Sequence, residues 1–71
     1  MDRINFIIPF KIYYYTLEPI IKYFLKKDEK ISIFLPENAF YLVSDLKKIY
    51  NLKIYSYERL VSKYKIRKIV H

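Results

Sequence analysis

The chain is predicted to fold as a small three-layer α/β domain built on a parallel sheet. Short apolar runs rich in β-branched and aromatic residues alternate with segments whose apolar residues recur at helical spacing. The connections between these segments are only a few residues long, which is typical of strands joined by helical crossovers. With 71 residues the chain is expected to form one domain, spanning positions 1–71.

The first predicted strand is Ile4–Phe10, which ends near a proline that has no amide hydrogen for a neighbouring strand. Lys11–Tyr15 is predicted to be a loop. A helix over about Leu17–Lys27 follows, with Thr16 as its N-cap and Pro19 in its first turn, where the missing amide hydrogen is tolerated. The apolar stripe of this helix comprises Leu17, Ile20, Ile21, Phe24 and Leu25.

The second strand and helix repeat this order. Ile31–Leu35 is predicted to be a buried strand, and Asn38 is expected to cap a helix that reaches Tyr50. The apolar stripe of this second helix comprises Ala39, Leu42, Val43, Leu46, Ile49 and Tyr50. Asp28 and Asn51 follow the two helices where glycine commonly turns the chain, so we expect them to replace it there.

The remaining elements are a third strand, Leu52–Tyr57, a short helix, Glu58–Lys65, and a fourth strand, Ile66–Val70. The resulting β-α-β-α-β-α-β order is Rossmann-like and predicts a parallel sheet of strand order 3-2-1-4, half of a doubly wound sheet. The first two helices should cover one face and the third helix the other. Because parallel sheets are normally covered on both faces, this incomplete cover predicts exposed apolar surface. Such a surface implies a homo-oligomer, a larger partner chain, or a missing remainder of the chain.

The composition excludes several function classes. There is no glycine, so neither a Walker A loop nor a dinucleotide fingerprint can form. Cysteine is absent and His71 is the single histidine, so no metal site, disulfide or cofactor is expected. No segment approaches the ~20 apolar residues of a spanning helix. We therefore predict a cytoplasmic location, with peripheral membrane contact as an open option.

The net charge is +7 and is unevenly distributed. Positions 1–36 carry six bases and four acids, whereas positions 37–71 carry eight bases and three acids. Such a field favours anionic partners, among them a nucleotide-sugar, an acidic headgroup or a nucleic acid. The alternative is a solubilising surface without a ligand. The predicted anion-binding residues are Arg59, Lys63, Lys65, Arg67 and Lys68.

The order of elements resembles the N-terminal, acceptor-side half of GT-B glycosyltransferases, which use nucleotide-sugar donors. The matching parts are the strand Ile4–Phe10, the helix containing Pro19, Leu25 and Lys26, and a final strand that ends in Ile-Val-His. The family's glycines after the first strand are missing, and Asp28-Glu29 stands where it usually has Gly-His. The resemblance implies a fragment or truncated paralogue that does not transfer sugar alone, with His71 as an acceptor-side base.

Ligands of open α/β sheets bind beyond the carboxyl ends of the strands. The residues predicted to line that edge and bind a ligand are Lys11, Tyr13, Tyr14, Tyr15, Asn38 and Glu58. The tyrosines could stack on a sugar or a base, or instead pack beneath the first helix. His71 could equally be a chain end without a role. Glu37 and Glu58 have no visible partner, so the sequence does not make them an acid/base pair.

Two functions follow from these observations. One is the acceptor-side part of a glycosyltransferase, inactive in isolation. The other is a small basic binding module that acts on a nucleic acid or on a protein partner.

Overall fold

Three parallel strands lie side by side in the computed structural model, which describes residues 3–64. They are β1, Ile4–Ile7; β2, Ile31–Leu35; and β3, Leu52–Ser56, in the spatial order β1-β2-β3. Ile4 lies opposite Ile31, which in turn lies opposite Leu52. The small parallel α/β architecture is therefore confirmed. The fourth predicted strand, Ile66–Val70, lies outside the described residues, so the order 3-2-1-4 stays a prediction.

The first helix, α1, spans Lys11–Lys26 and starts much earlier than predicted. Lys11–Tyr15 is helical and is not a loop, and the residue before the helix is Phe10, which makes no side-chain capping bond. The prediction failed because Tyr14 is buried with Ile21 and extends the apolar stripe by one turn towards the N-terminus. Pro19 consequently lies inside the helix and not in its first turn.

The predicted second helix is two helices. A 3-10 helix, Glu37–Leu42, is followed by α2, Ser44–Ile49, and the buried Val43 separates the two. Asn38 is not its cap, because Pro36 precedes the 3-10 helix and no side chain makes a capping bond. Ala39 and Val43 enter the core as predicted, whereas Ile49 is exposed and does not belong to the apolar stripe.

The turn after α1 confirms the role predicted for Asp28. Its φ is 64°, the left-handed region that glycine normally occupies. The Glu29 amide donates to the Phe24 carbonyl at 3.1 Å and the Asp28 amide to the Leu25 carbonyl at 3.0 Å, which together form a Schellman motif. Asn51 does not play this role, since Asp28 is the one non-glycine residue of 3–64 with positive φ.

One face of the sheet carries the hydrophobic core. The strand residues on this face alternate with outward-pointing ones, and α1, the 3-10 helix and α2 pack over them. Phe6 of β1 lies beside Phe24 of α1, with ring centroids 6.5 Å apart. The buried residues of this core are Ile8, Tyr14, Ile21, Leu25, Ile31, Ile33, Leu35, Ala39, Val43 and Leu52.

The opposite face is partly covered within the described residues. The third helix, α3, spans Tyr57–Tyr64 and contacts β2 and β3. Arg3 crosses the amino edge, where its guanidinium donates to the Ser32 hydroxyl at 2.8 Å and to the Ile31 carbonyl at 2.7 Å. Ile7 on this face stays exposed, as the prediction of an incompletely covered sheet requires. No helix in the described part of the chain is long and apolar enough to cross a membrane.

Replacing Pro19 by alanine tests where α1 begins. A proline inside a helix removes one backbone hydrogen bond and crowds the preceding turn. We expect Pro19→Ala to raise the free energy of unfolding by about 1–3 kcal/mol, measured by urea denaturation. Thr16→Ala, on the same exposed helix face, should change it by less than about 1 kcal/mol. A near-zero effect of Pro19→Ala would mean that the helix begins later, with the proline in its first turn.

Candidate functional site

A cleft of about 670 Å³ opens where β2 and β3 end. Its wall is formed by the last residues of both strands, the start of the 3-10 helix and one side of α3. This is the carboxyl edge of the sheet, where parallel α/β proteins place their ligands. The lining residues are Phe34, Glu37, Phe40, Ile54, Tyr55, Ser56, Arg59, Leu60 and Lys63.

Two carboxylates meet at the Ser56 hydroxyl beside this cleft. The Ser56 Oγ lies 2.7 Å from Glu37 Oε2 and 3.2 Å from Glu58 Oε1. Since a hydroxyl has one hydrogen, the shorter distance indicates that Ser56 donates to Glu37. The Glu37 amide donates to Glu58 Oε1 at 3.1 Å and links the two acids directly. The structure thus pairs Glu37 and Glu58, which have no visible partner in the sequence.

Ser56 is also the N-cap of α3. It is the last residue of β3, and its hydroxyl oxygen accepts the Arg59 amide at 3.1 Å, in the first turn of the helix. Glu58 lies in the same turn, where its negative charge complements the helix dipole. Hydrogen bonds from its own amide and from the Glu37 amide hold the pKa of Glu58 below its usual value. Glu58 is therefore ionised at neutral pH.

Ser56→Ala should lower the free energy of unfolding by about 1 kcal/mol, because the Arg59 amide loses its capping partner. Ser62→Ala is a matched control in the same helix, at an exposed position. It should leave stability unchanged or raise it slightly, since alanine has the higher helix propensity. Thermal unfolding of both variants makes the comparison. An equal effect at the two positions would contradict the capping role.

Aromatic rings form the apolar wall of the cleft. Phe34 and Tyr55 are partners in the β2–β3 register and stack with ring centroids 4.9 Å apart at 21° between planes. Phe40, Ile54 and Leu60 complete the apolar lining, and Arg59 and Lys63 bring cationic groups to the same wall. The cleft thus combines a flat aromatic surface, two cations and a carboxylate. These groups suit a ligand that carries a ring, a negative charge and hydroxyl groups.

The predicted basic residues divide into two groups. Arg59 and Lys63 line the cleft, and their role in anion binding stays a prediction. Lys65, Arg67, Lys68 and His71 lie outside the described residues, so their predicted roles are not addressed by the structure.

The predicted residues of α1 lie away from the cleft lining. The Lys11 ammonium sits 5.1 Å from the centre of the Tyr41 ring, and hydrogen bonding to Tyr41 raises the pKa of this lysine. Tyr13 and Tyr15 are exposed, and the stacking role predicted for them stays a prediction. Asn38 is exposed in the 3-10 helix and is not among the lining residues.

Tyr14 was predicted to bind a ligand, and the structure shows that this prediction is wrong. Its side chain is 1% exposed, so the ring packs in the core and does not face a ligand. The hydroxyl donates to Glu18 Oε2 at 3.2 Å, one helical turn away. Burial raises the pKa of Tyr14 to about 12, and the charge of Glu18 and the hydrogen bond to it act in the same direction.

This shift predicts a loss of stability in alkali. A group with a raised folded-state pKa contributes fully below its unfolded value and loses that contribution as the pH rises. Stability should therefore fall between about pH 10 and pH 12. In Tyr14→Phe the fall should be smaller, measured by urea denaturation across this range. Tyr13→Phe, an exposed neighbour, should keep the wild-type pH dependence; if both variants behave alike, Tyr14 is not the group responsible.

Sequence reasoning missed the aromatic pair and the serine of this site. Ser56 carries a recognisable signal, since a serine between a strand and a helix is a preferred N-cap. Phe34 and Tyr55 carry none, because their pairing depends on the register of two strands about twenty residues apart. Within the described residues no group of three or more histidine, cysteine or acidic side chains is arranged to hold a metal ion.

Comparisons of the chain with protein-family models, with curated proteins and with solved structures gave no match.

Proposed function

We propose that the cleft at the carboxyl edge binds a ribonucleotide and that the chain acts as a small binding module. The observation that supports this proposal is that an aromatic stack, two cations and the Glu37 carboxylate line one cleft. Each of these groups matches one part of a nucleotide.

The phosphate would lie against Arg59 and Lys63. Both residues line the cleft and belong to α3, one turn apart. A guanidinium forms short, charge-assisted hydrogen bonds to phosphate oxygens, often two at once. With no glycine in the chain, side chains have to supply contacts that a glycine-rich loop supplies elsewhere.

The ribose would lie against the carboxylates. Glu37 lines the cleft and is held by the Ser56 hydroxyl at 2.7 Å, while Glu58 is kept ionised by its own hydrogen bonds. Carboxylates accept hydrogen bonds from ribose hydroxyls in Rossmann-type sites. They also disfavour a ligand that is charged along its whole length, because each further phosphate would meet negative charge. A mononucleotide therefore fits the cleft better than a nucleic acid strand does.

The base would stack on the aromatic wall. Tyr55 is partly exposed and rests on Phe34, so one ring supports the other from behind. Stacking of a base on an aromatic side chain is typically worth about 1–3 kcal/mol and tolerates any base. The proposed site consequently has little base preference.

The glycosyltransferase interpretation stays a prediction. The parallel sheet is shared by many α/β proteins, and fold alone is a weak argument for function. The histidine on which its chemistry depends, His71, lies outside the described residues. The binding module is favoured because it rests on side chains that the structure brings together.

Binding of AMP to the whole chain, measured by calorimetry, tests the proposal. We expect AMP to bind more tightly than adenosine or inorganic phosphate, because it reaches both the cations and the aromatic wall. Arg59→Gln should weaken AMP binding about tenfold, the loss of roughly 1.4 kcal/mol expected for one charge-assisted contact. Glu37→Gln should reduce the preference for AMP over 2′-deoxy-AMP.

Lys30→Gln is the matched control. It removes the same charge from an exposed lysine at the amino edge, just before β2 begins. This variant should bind AMP like the unaltered protein. If Arg59→Gln and Lys30→Gln lost the same amount of affinity for AMP, binding would reflect the overall positive charge and not a specific site. If the folded protein did not bind AMP at all, the proposal would be wrong.

A further inference from the structure

Helix α1 has a second apolar face that points away from the core. Its buried side is formed by Tyr14, Ile21 and Leu25. On the other side of the helix lie three large apolar side chains with high exposure: Ile12 69%, Ile20 47% and Tyr23 57%. Thr16 and Pro19 lie between them and are exposed and uncharged. A surface helix normally carries polar residues there, so this face is available to a partner.

The charges around this face are mostly positive. Between Lys11 and Lys27 the chain has four lysines and one acid, Glu18. The Glu18 carboxylate lies 3.5 Å from the Lys22 ammonium and is therefore largely balanced. The Lys27 ammonium lies 5.5 Å from the centre of the Tyr23 ring, at the end of the apolar face. Asp28 and Glu29 follow only in the turn after the helix.

We propose that this outer face of α1 docks on an anionic lipid surface. A helix with lysines beside exposed isoleucine and tyrosine has the composition of helices that lie in the plane of a membrane interface. With 16 residues α1 is about 24 Å long, so its outer face can lie along a flat surface over its whole length. Docking would orient the chain without spanning the bilayer.

Charge argues against a second copy of the chain as the occupant. Each chain carries a net charge of +7, so pairing two α1 faces would bring like charges together. An anionic lipid surface instead attracts juxtaposed lysines and accepts the apolar side chains between its headgroups. The proposed lipid docking does not depend on the nucleotide cleft, because other elements line that cleft. Either the docking proposal or the nucleotide proposal can therefore be wrong without the other.

Fluorescence of single-tryptophan variants tests the orientation directly, because the chain contains no tryptophan. Tyr23→Trp places a reporter on the outer face of α1, and Ile7→Trp places one on the opposite face of the sheet, at a residue that is 55% exposed. Vesicles of phosphatidylcholine with about one third phosphatidylserine supply the anionic surface. We expect a blue shift for Tyr23→Trp with these vesicles and none for Ile7→Trp.

Sedimentation with the same vesicles supplies the affinity. The double variant Ile12→Gln, Ile20→Gln should bind at least about tenfold more weakly, whereas Ile7→Gln should bind like the unaltered protein. Binding should also weaken between about 0.1 M and about 1 M salt, since the lysines act through screened charge. Circular dichroism of each variant confirms that these exposed substitutions leave the fold intact.

Three results would overturn the proposal. The first is absence of binding of the folded protein to the anionic vesicles at the lower salt. The second is an equal spectral shift in Tyr23→Trp and Ile7→Trp. The third is a dimer, seen by light scattering, that the double variant dissolves, since that would make a second copy the occupant.

Discussion

The parallel pairing of β2 with both of its neighbours is the constraint on which the described structure depends. Ile31, Ile33 and Leu35 are fully buried on one face, and Ser32 is buried on the other. The last of these is polar, and its burial is possible because the Arg3 guanidinium supplies a hydrogen bond at 2.8 Å. The helices are arranged around this central strand: α1 and α3 both contact it, and α2 contacts the neighbouring strand β3.

The two edges of the sheet are held by polar groups of different kinds. At the amino edge, Arg3 donates to the carbonyls of Ile31 and Asn51 and so joins the starts of all three strands. At the carboxyl edge, Ser56 joins Glu37 to Glu58 and caps α3 at the same time. A bond that positions the helix therefore also positions the carboxylates of the cleft. The Ser56 hydroxyl therefore contributes both to the stability of α3 and to the proposed binding site.

Local sequence patterns predicted the order of most helices and strands, but not all of the residues at which they begin and end. The buried strand Ile31–Leu35 was predicted to the residue, because its apolar run is bounded by a polar turn and a proline. The start of α1 was predicted wrongly. The tyrosine run before the predicted helix resembles a loop, and only the structure shows that Tyr14 is buried in the core. Pro19 also led to a predicted start that was too late, because a proline is expected in the first turn of a helix. In the folded protein, tertiary packing outweighs the local cost of a proline inside the helix.

The sequence alone determined the α/β class, the parallel direction of the described strands, the positive net charge and the exclusion of phosphate-binding loops built from glycine. It also determined that Asp28 turns the chain after α1, because short polar residues tolerate the left-handed region. Only the tertiary structure decided the site. The pairing of Phe34 with Tyr55, the meeting of Glu37 with Glu58, and the two opposite apolar faces of α1 arise from strand register and from burial. These depend on which residues become neighbours in space, and no local pattern of residues encodes that.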